Sequence, residues 1–313
     1  RVRHVGGGQR LNGRITMQFG VVFPTTEIGV DPGAIRDFAV GVEALGFDHL
    51  IAYDHVLGAP HDGRQRPLSG PYDQTDLFHE VFVLFGHLAA VTERIGLVVG
   101  VLVAPQRQTA LIAKQAAQVQ MLSEGRLRLG LGTGWNWVEY DALGADFGRR
   151  GAVLDEQVAL LRQLWTDDLV SFDGEFHHVD RAGLAPLPTV EIPIWFGGYG
   201  PVALRRSAES GAGHLFGHLG PDIIESAQRL RELAAAAGRG TGDVGLEAIT
   251  DTATNPEHWA VTATEWAAAG GTHLSIRTMK TVGVADSGCR TVDDHLNAVE
   301  RWRDALRDGG VWK

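Results

Sequence analysis

Two hydrophobic rhythms alternate along the chain. Short runs dense in Val, Ile, Leu and Gly are followed by longer runs whose apolar residues recur at helical spacing. The first strand is predicted over residues 17–24, MQFGVVFP, and Pro32 then opens a helix, where its missing N–H is not needed. That helix lines up Ile35, Phe38, Ala39, Val42 and Leu45, and Gly46 closes it. Further strands are predicted over residues 49–54 and 94–105, and from residue 126 to a turn at Gly132–Gly134. The run at 94–105 is apolar almost throughout, as expected of a strand covered on both faces. Helices are predicted from about residue 75, burying Leu77, Val81, Leu84, Phe85 and Leu88, and over 108–122 and 152–165. The second half repeats the rhythm, with strands over 192–198, 213–219, 244–250 and 272–278. Its helices fall over 201–210, 221–237, within 255–269, and over 292–306.

Eight strand–helix alternations predict an α/β fold, a (β/α)8 TIM barrel formed as a single domain over residues 17–313. Three stretches break the rhythm. Residues 55–76 are rich in Gly, Pro and polar residues, and a loop of that length is expected to be a lid or binding loop. Residues 136–151 read as irregular. Residues 169–179 alternate around Asp173–Gly174, a favoured pair for a tight turn, and read as an inserted hairpin. The first sixteen residues are basic and Gly-rich, and Met17 directly precedes the first strand, so they are expected to be a tail, a tag remnant or a misassigned start.

Composition narrows the partners. The 313 residues carry a formal net charge of −10, which speaks against nucleic acid and anionic membranes. Cys289 is the only cysteine, which excludes an intramolecular disulfide framework and a cysteine zinc cluster. No apolar run reaches membrane-spanning length and no signal peptide is visible, so a cytoplasmic location is expected.

In such a barrel the chemistry sits at the C-terminal strand ends. The fourth strand ends at Gly132–Thr133–Gly134, with Trp135 just beyond, where bare backbone lets a bulky ligand approach. The fifth ends at Gly197, Gly198, Tyr199 and Gly200 before a helix, a phosphate candidate because free N–H groups and the positive helix end both favour an anion. The second ends at Asp54–His55, the candidate for proton chemistry, with a neighbouring carboxylate able to orient the ring. The third offers Gly100 to Val103, the sixth His218 and the eighth Arg277. His61, His79 and His87 lack metal-site spacing, and no metal is expected. A dinucleotide fingerprint fails at Gly130, Gly132 and Gly134: the next glycine falls on Trp135, and Asp155 lies inside a helix.

Tyr53–Val56 (YDHV), ERIGLVVGVLVAPQR at residues 93–107, GRLRLGLGTGWNWVEYDALG at 125–144, and IPIWFGG at 192–198 together resemble the bacterial-luciferase-like oxidoreductases. Within that family the chain looks most like the branch that uses the deazaflavin coenzyme F420 rather than FMN. The resemblance implies that a tricyclic ring lies in the barrel mouth, supported by a cis peptide at Gly100–Val101. Gly132, Thr133, Gly134 and Trp135 would line it, Gly197 and Gly198 would hold its phosphate, Asp54 would contact the ring, and His55 would be the acid or base. Trp135 stands where some relatives carry an acidic residue. The implied activity is hydride transfer between F420 and a small organic substrate. Competing readings are a two-component FMN monooxygenase that takes reduced FMN from a partner reductase, and a flavin-binding protein without catalysis; a flavin or F420 reductase is the expected redox partner. A metal-dependent hydrolase would need ligands where strands three to five supply glycines. Substrate, direction of transfer and oligomeric state stay open, with a homodimer among the expectations.

Overall fold

Outward residues of a barrel strand need a cover, and the helix that follows each strand supplies it. The computed structural model describes residues 10–11, 14–15, 17–240, 242–252, 256–282 and 284–312. Eight parallel strands close into a barrel: β1 (Gln18–Val22), β2 (His49–Ala52), β3 (Gly96–Val103), β4 (Leu127–Gly132), β5 (Ile194–Gly197), β6 (Gly213–Leu215), β7 (Gly245–Asp251) and β8 (His273–Arg277). Consecutive strands are neighbours throughout, and β8 pairs back onto β1. Around them run α1 (Pro32–Ala44), α2 (Val81–Val91), α3 (Thr109–Leu122), α4 (Trp137–Ala142), α5 (Arg150–Thr166), α6 (Pro201–Ser210), α7 (Pro221–Ala236), α8 (Trp259–Ala268) and α9 (Val292–Asp308). Among the described residues, no helix is long and apolar enough to cross a membrane.

The barrel interior follows from period two, since residues two apart on a strand share a face. β7 sends Glu247, Ile249 and Asp251 inward in turn, and β8 sends Ser275 and Arg277. Three layers result. At the N-terminal end Glu247 meets His49, Arg128 and Ser275. The middle layer is apolar, with Val22, Ile51, Val98, Leu215 and Ile249 packed around Trp195. The top layer holds Tyr53, Asp251 and Arg277 on one side and bare strand ends on the other. The peptide Gly100–Val101 is cis, and the β3–β4 register shifts there, between Val99 and Leu102.

Local chemistry corrects the predicted boundaries in three places. The second helix starts at Val81, not near residue 75. Asp73 and Asp76 tie their own loop (Thr75 N to Asp73 Oδ1, 2.7 Å; Asp73 N to Asp76 Oδ2, 2.7 Å), and Glu80 caps the helix by accepting from Val83 N at 2.8 Å. Leu77, placed in its buried face, is 42% exposed. The inserted hairpin pairs Val170–Asp173 with His178–Ala182, and its turn is residues 174–177, not a two-residue Asp–Gly turn. Glu156 sets that loop by accepting from the backbone of Glu175, Phe176 and His177 at 2.7–2.9 Å. A side chain at Gly174 would sit 2.4 Å from the Glu156 carboxyl, so close approach selects glycine there. The stretch after Trp135, read as irregular, contains α4, capped by Asn136 Oδ1 accepting from Val138 and Glu139 N–H. Of the expected N-terminal tail, Arg10–Leu11 pairs antiparallel with Arg14–Ile15, and residues 1–9, 12, 13 and 16 lie outside the described residues.

Candidate active site

The strand ends enclose a cavity of about 740 Å³ at the C-terminal face, within the range of roughly 300–1,000 Å³ typical of ligand pockets. One wall is bare. Gly100, Gly132, Thr133, Gly134, Gly197 and Gly198 line it, with the Val101 side chain between them. A Cβ on Gly132 would lie 2.5 Å from Val101 Cγ2, and one on Gly197 would lie 2.8 Å from Val101 Cγ1. The two glycines thus let Val101 stand as a small apolar platform. Gly134 has φ +62° and Gly198 φ +130°, conformations that side chains rarely adopt, and both turns leave backbone facing the cavity. Tyr199 also lines the cavity. Gly200 does not: it is the N-cap residue of α6, and a Cβ there would meet open space. Behind the fifth strand end, His214 Nε2 lies 2.9 Å from the Gly198 carbonyl, and its Nδ1 lies 2.7 Å from Ser207 Oγ. Burial lowers the His214 pKa to about 4 against the opposing Gly198 contact, so at neutral pH the ring is uncharged.

Proton-active groups stand beside that wall. His55 and Asp54 both reach the cavity, but Asp54 does not orient His55 as its sequence position suggested. Its carboxylate points the other way, accepting from Val103 N at 3.0 Å and Arg107 Nη2 at 2.5 Å. The partner of His55 is Glu139 on α4, with Nδ1 to Oε2 at 3.1 Å. Glu139 is 1% exposed and also accepts from the backbone N–H groups of Val56 and Leu57. Burial alone would raise its pKa; the His55 ring and these N–H groups outweigh burial and hold it below the ordinary value. Glu139 is therefore an ionised carboxylate fixed against His55. Tyr72, Phe78 and Trp135 surround the imidazole edge-on at 4.9–5.8 Å between centroids.

The loop over residues 55–76 forms the roof. Gly70 lies so close to Trp135 that a Cβ there would fall 2.3 Å from the indole. Trp137 Nε1 donates to the Pro67 carbonyl at 3.1 Å, and Asn136 Nδ2 to that of Leu57 at 3.0 Å. Trp135 thus carries the roof as well as edging the cavity. Opposite the bare wall stand Tyr53, Tyr72, Asp251 and Arg277. Arg277 forms a two-pronged ion pair with Asp251 (2.7 and 3.0 Å) and donates to Tyr53 Oη at 3.3 Å. His218 lies at the rim, 2.9 Å from Asp222. His61, His79 and His87 remain apart, and no group of three or more potential metal ligands occurs among the described residues.

Sequence reasoning missed Glu139, Asp251, Tyr53 and Arg107. The signal for Glu139 was present: Asn136 followed three residues later by Glu139 has the spacing of a helix start, which would have placed α4 and its carboxylate beside the mouth. For Asp251 the signal was the alternation Glu247, Ile249, Asp251, cut short by ending the strand one residue early.

The fold and mouth define an α/β barrel with an open cavity at its C-terminal face. Residues 17–283 match the luciferase-like monooxygenase family, and the chain belongs to it. An uncharacterised protein of Mycobacterium tuberculosis is 41% identical over 205 residues, covering 63% of this chain and 69% of that protein. An enzyme of Nakamurella multipartita named F420-dependent glucose-6-phosphate dehydrogenase is 31% identical over 202 residues, 64% of this chain and 56% of its own length. Among solved structures, an F420-dependent secondary alcohol dehydrogenase in complex with an F420–acetone adduct superposes with a TM-score of 0.73 at 18% identity. That match covers 94% of this chain and all (100%) of that one, and it speaks to the fold alone.

Proposed function

We propose that this protein is an F420-dependent oxidoreductase that transfers a hydride between the deazaflavin and a small organic substrate. The observation that carries the reading is the juxtaposition of a glycine-lined wall, with Val101 as its platform, and the His55–Glu139 pair in one cavity. Relatives named as F420-dependent support the cofactor choice. The residues fit such a group. Val101 and the glycines beside it offer a flat apolar support, and the Gly197–Gly198 turn before α6 offers backbone N–H groups to an anionic tail. When bound, a deazaflavin supplies a carbon that accepts or gives a hydride.

The chain's own groups do the rest. His55 takes or gives the proton that accompanies the hydride, using the ring nitrogen not turned to Glu139. Glu139 fixes the ring's orientation through that contact. The roof, pinned on Trp135 and Trp137, excludes water. Asp54 positions Arg107 and the β3 end rather than exchanging protons, because both of its oxygens are engaged.

Side-by-side fluorescence titration with F420 and FMN tests the cofactor. Tighter binding of F420 is expected; tighter binding of FMN would favour a flavin monooxygenase. His55→Ala should retain cofactor binding and slow turnover by about 10²–10⁴-fold. Unchanged steady-state rates would remove His55 from the mechanism.

A further inference from the structure

The cavity wall opposite the glycines carries charge, yet that charge is already matched. Among the described residues that line the cavity there is no lysine, and the arginine is Arg277. Its Nε and Nη2 both donate to Asp251, and both residues are buried. The remaining nitrogen, Nη1, faces Tyr53 Oη at 3.3 Å and the Gly217 carbonyl at 3.4 Å. Asp54, the other lining carboxylate, is matched by Arg107 in the same way. His218 at the rim is matched by Asp222.

An anionic substrate group entering here would need a cation free to receive it. To use the Arg277 charge it would have to pull Arg277 away from Asp251 and break a buried two-pronged ion pair, which is strongly unfavourable. A neutral oxygen has no such difficulty. Tyr53 accepts from Arg277, so its own hydroxyl proton is free to point into the cavity, and the neighbouring Tyr72 lines the same side.

We infer that Tyr53 and Arg277 form the substrate end of the cavity, and that it takes an uncharged alcohol or carbonyl compound while rejecting phosphorylated or carboxylated ones. One relative is named for a sugar phosphate, and a solved structure of the same fold for a secondary alcohol, substrates of opposite charge class. The Arg277–Asp251 pairing decides between those classes. The inference deepens the F420 reading, but its binding arm does not depend on it.

Calorimetric binding of cyclohexanol against cyclohexanecarboxylate, and of glucose against glucose 6-phosphate, provides the test, on the free protein and on the F420-loaded one. The neutral member of each pair should bind at least tenfold more tightly. Asp251→Asn frees the Arg277 charge and should shift that ratio at least tenfold toward the anion, with Asp251→Glu restoring it. Arg277→Met covers the case in which the Asp251 variants do not fold: anion binding should stay as weak as before. A wild-type preference for the anion, or a tenfold loss of anion binding in Arg277→Met, would overturn the inference. Failure of F420 to quench on binding while the neutral preference persists would sink the cofactor reading and leave this one standing.

Discussion

Both ends of the barrel hold an arginine paired with a carboxylate from β7, and only one end is open. At the N-terminal end Arg128 pairs with Glu247, which also meets His49 Nε2 and Ser275 Oγ, each at 2.6 Å. The Trp195 ring covers the guanidinium at 4.2 Å, so the layer is filled. At the C-terminal end Arg277 pairs with Asp251 on the same face of the same strand, four residues on, and there the facing strands contribute glycine. One ion pair becomes a plug because bulky side chains surround it. The other becomes part of a cavity because its neighbours have none. Ion pairing alone does not mark a site; what distinguishes a site is whether the opposing positions are occupied.

The comparison is most sharply tested by removing the carboxylates. Burial would raise the Glu247 pKa, but Arg128 and His49 outweigh it and hold the group far below its ordinary value of 4.5. Glu247→Ala leaves Arg128 charged and buried without its partner, which should cost about 3–5 kcal/mol in urea unfolding. The pH dependence has a definite sign. A carboxylate whose folded pKa is depressed stabilises fully above the unfolded value of 4.5, and that contribution is lost as pH falls below it. Glu247→Gln should therefore flatten the acid limb of the stability curve. Asp251→Asn at the mouth should cost less, because Arg277 can turn toward the cavity. Equal losses at the two ends would erase the distinction drawn between plug and mouth.

Glycines give the next test, with a smaller effect. Gly20 lies in the plug, where a Cβ would fall 2.2 Å from His49 Nε2 and 2.3 Å from Ser275 Oγ. Gly20→Ala should destabilise by about 1–3 kcal/mol through overpacking. Gly132→Ala pushes on the Val101 side chain, which has the cavity on one side and can move into it. Its main effect should fall on cofactor affinity, with a loss of about tenfold, equal to about 1.4 kcal/mol of binding. Thermal unfolding and cofactor titration on both variants separate the two outcomes. A Gly132→Ala protein that loses stability but binds normally would mean that the bare wall serves packing.

Much of this was legible in the chain. Alternation of strand and helix is a local property, so the barrel and its strand ends could be read from hydrophobic periodicity. The glycines of the mouth were legible because they interrupt apolar strands. What escaped was pairing across the barrel. Asp54 stands next to His55 in sequence, yet neighbouring residues leaving a strand point to opposite sides, and Asp54 turns to Arg107. Glu139 is 84 positions away from His55 and reaches it because α4 folds the chain back over the mouth. The two ion pairs of the interior span 119 and 26 positions, and no local pattern reveals such partners.

Gly200 separates these levels most finely. By sequence it belongs with Gly197 and Gly198 in one glycine-rich turn, and the anion-binding expectation included it. In the fold it has turned away: its φ is −80°, it is exposed, and no atom lies within 4 Å of the place a Cβ would take. Alanine at an N-cap is less favourable than glycine by about a few tenths of a kcal/mol to 1 kcal/mol. Against this, alanine narrows the unfolded ensemble, a gain of about 0.4–1 kcal/mol. The two nearly cancel, so Gly200→Ala should change stability by less than about 0.5 kcal/mol and leave cofactor affinity within about twofold, under 0.5 kcal/mol of binding. Gly198→Ala, at φ +130° with Ala203 Cβ 3.1 Å from the new methyl, should not be tolerated in the same way. If the two substitutions weaken cofactor binding equally, the ligand's tail reaches past Gly198 to the helix end, and the open face at Gly200 belongs to the site after all.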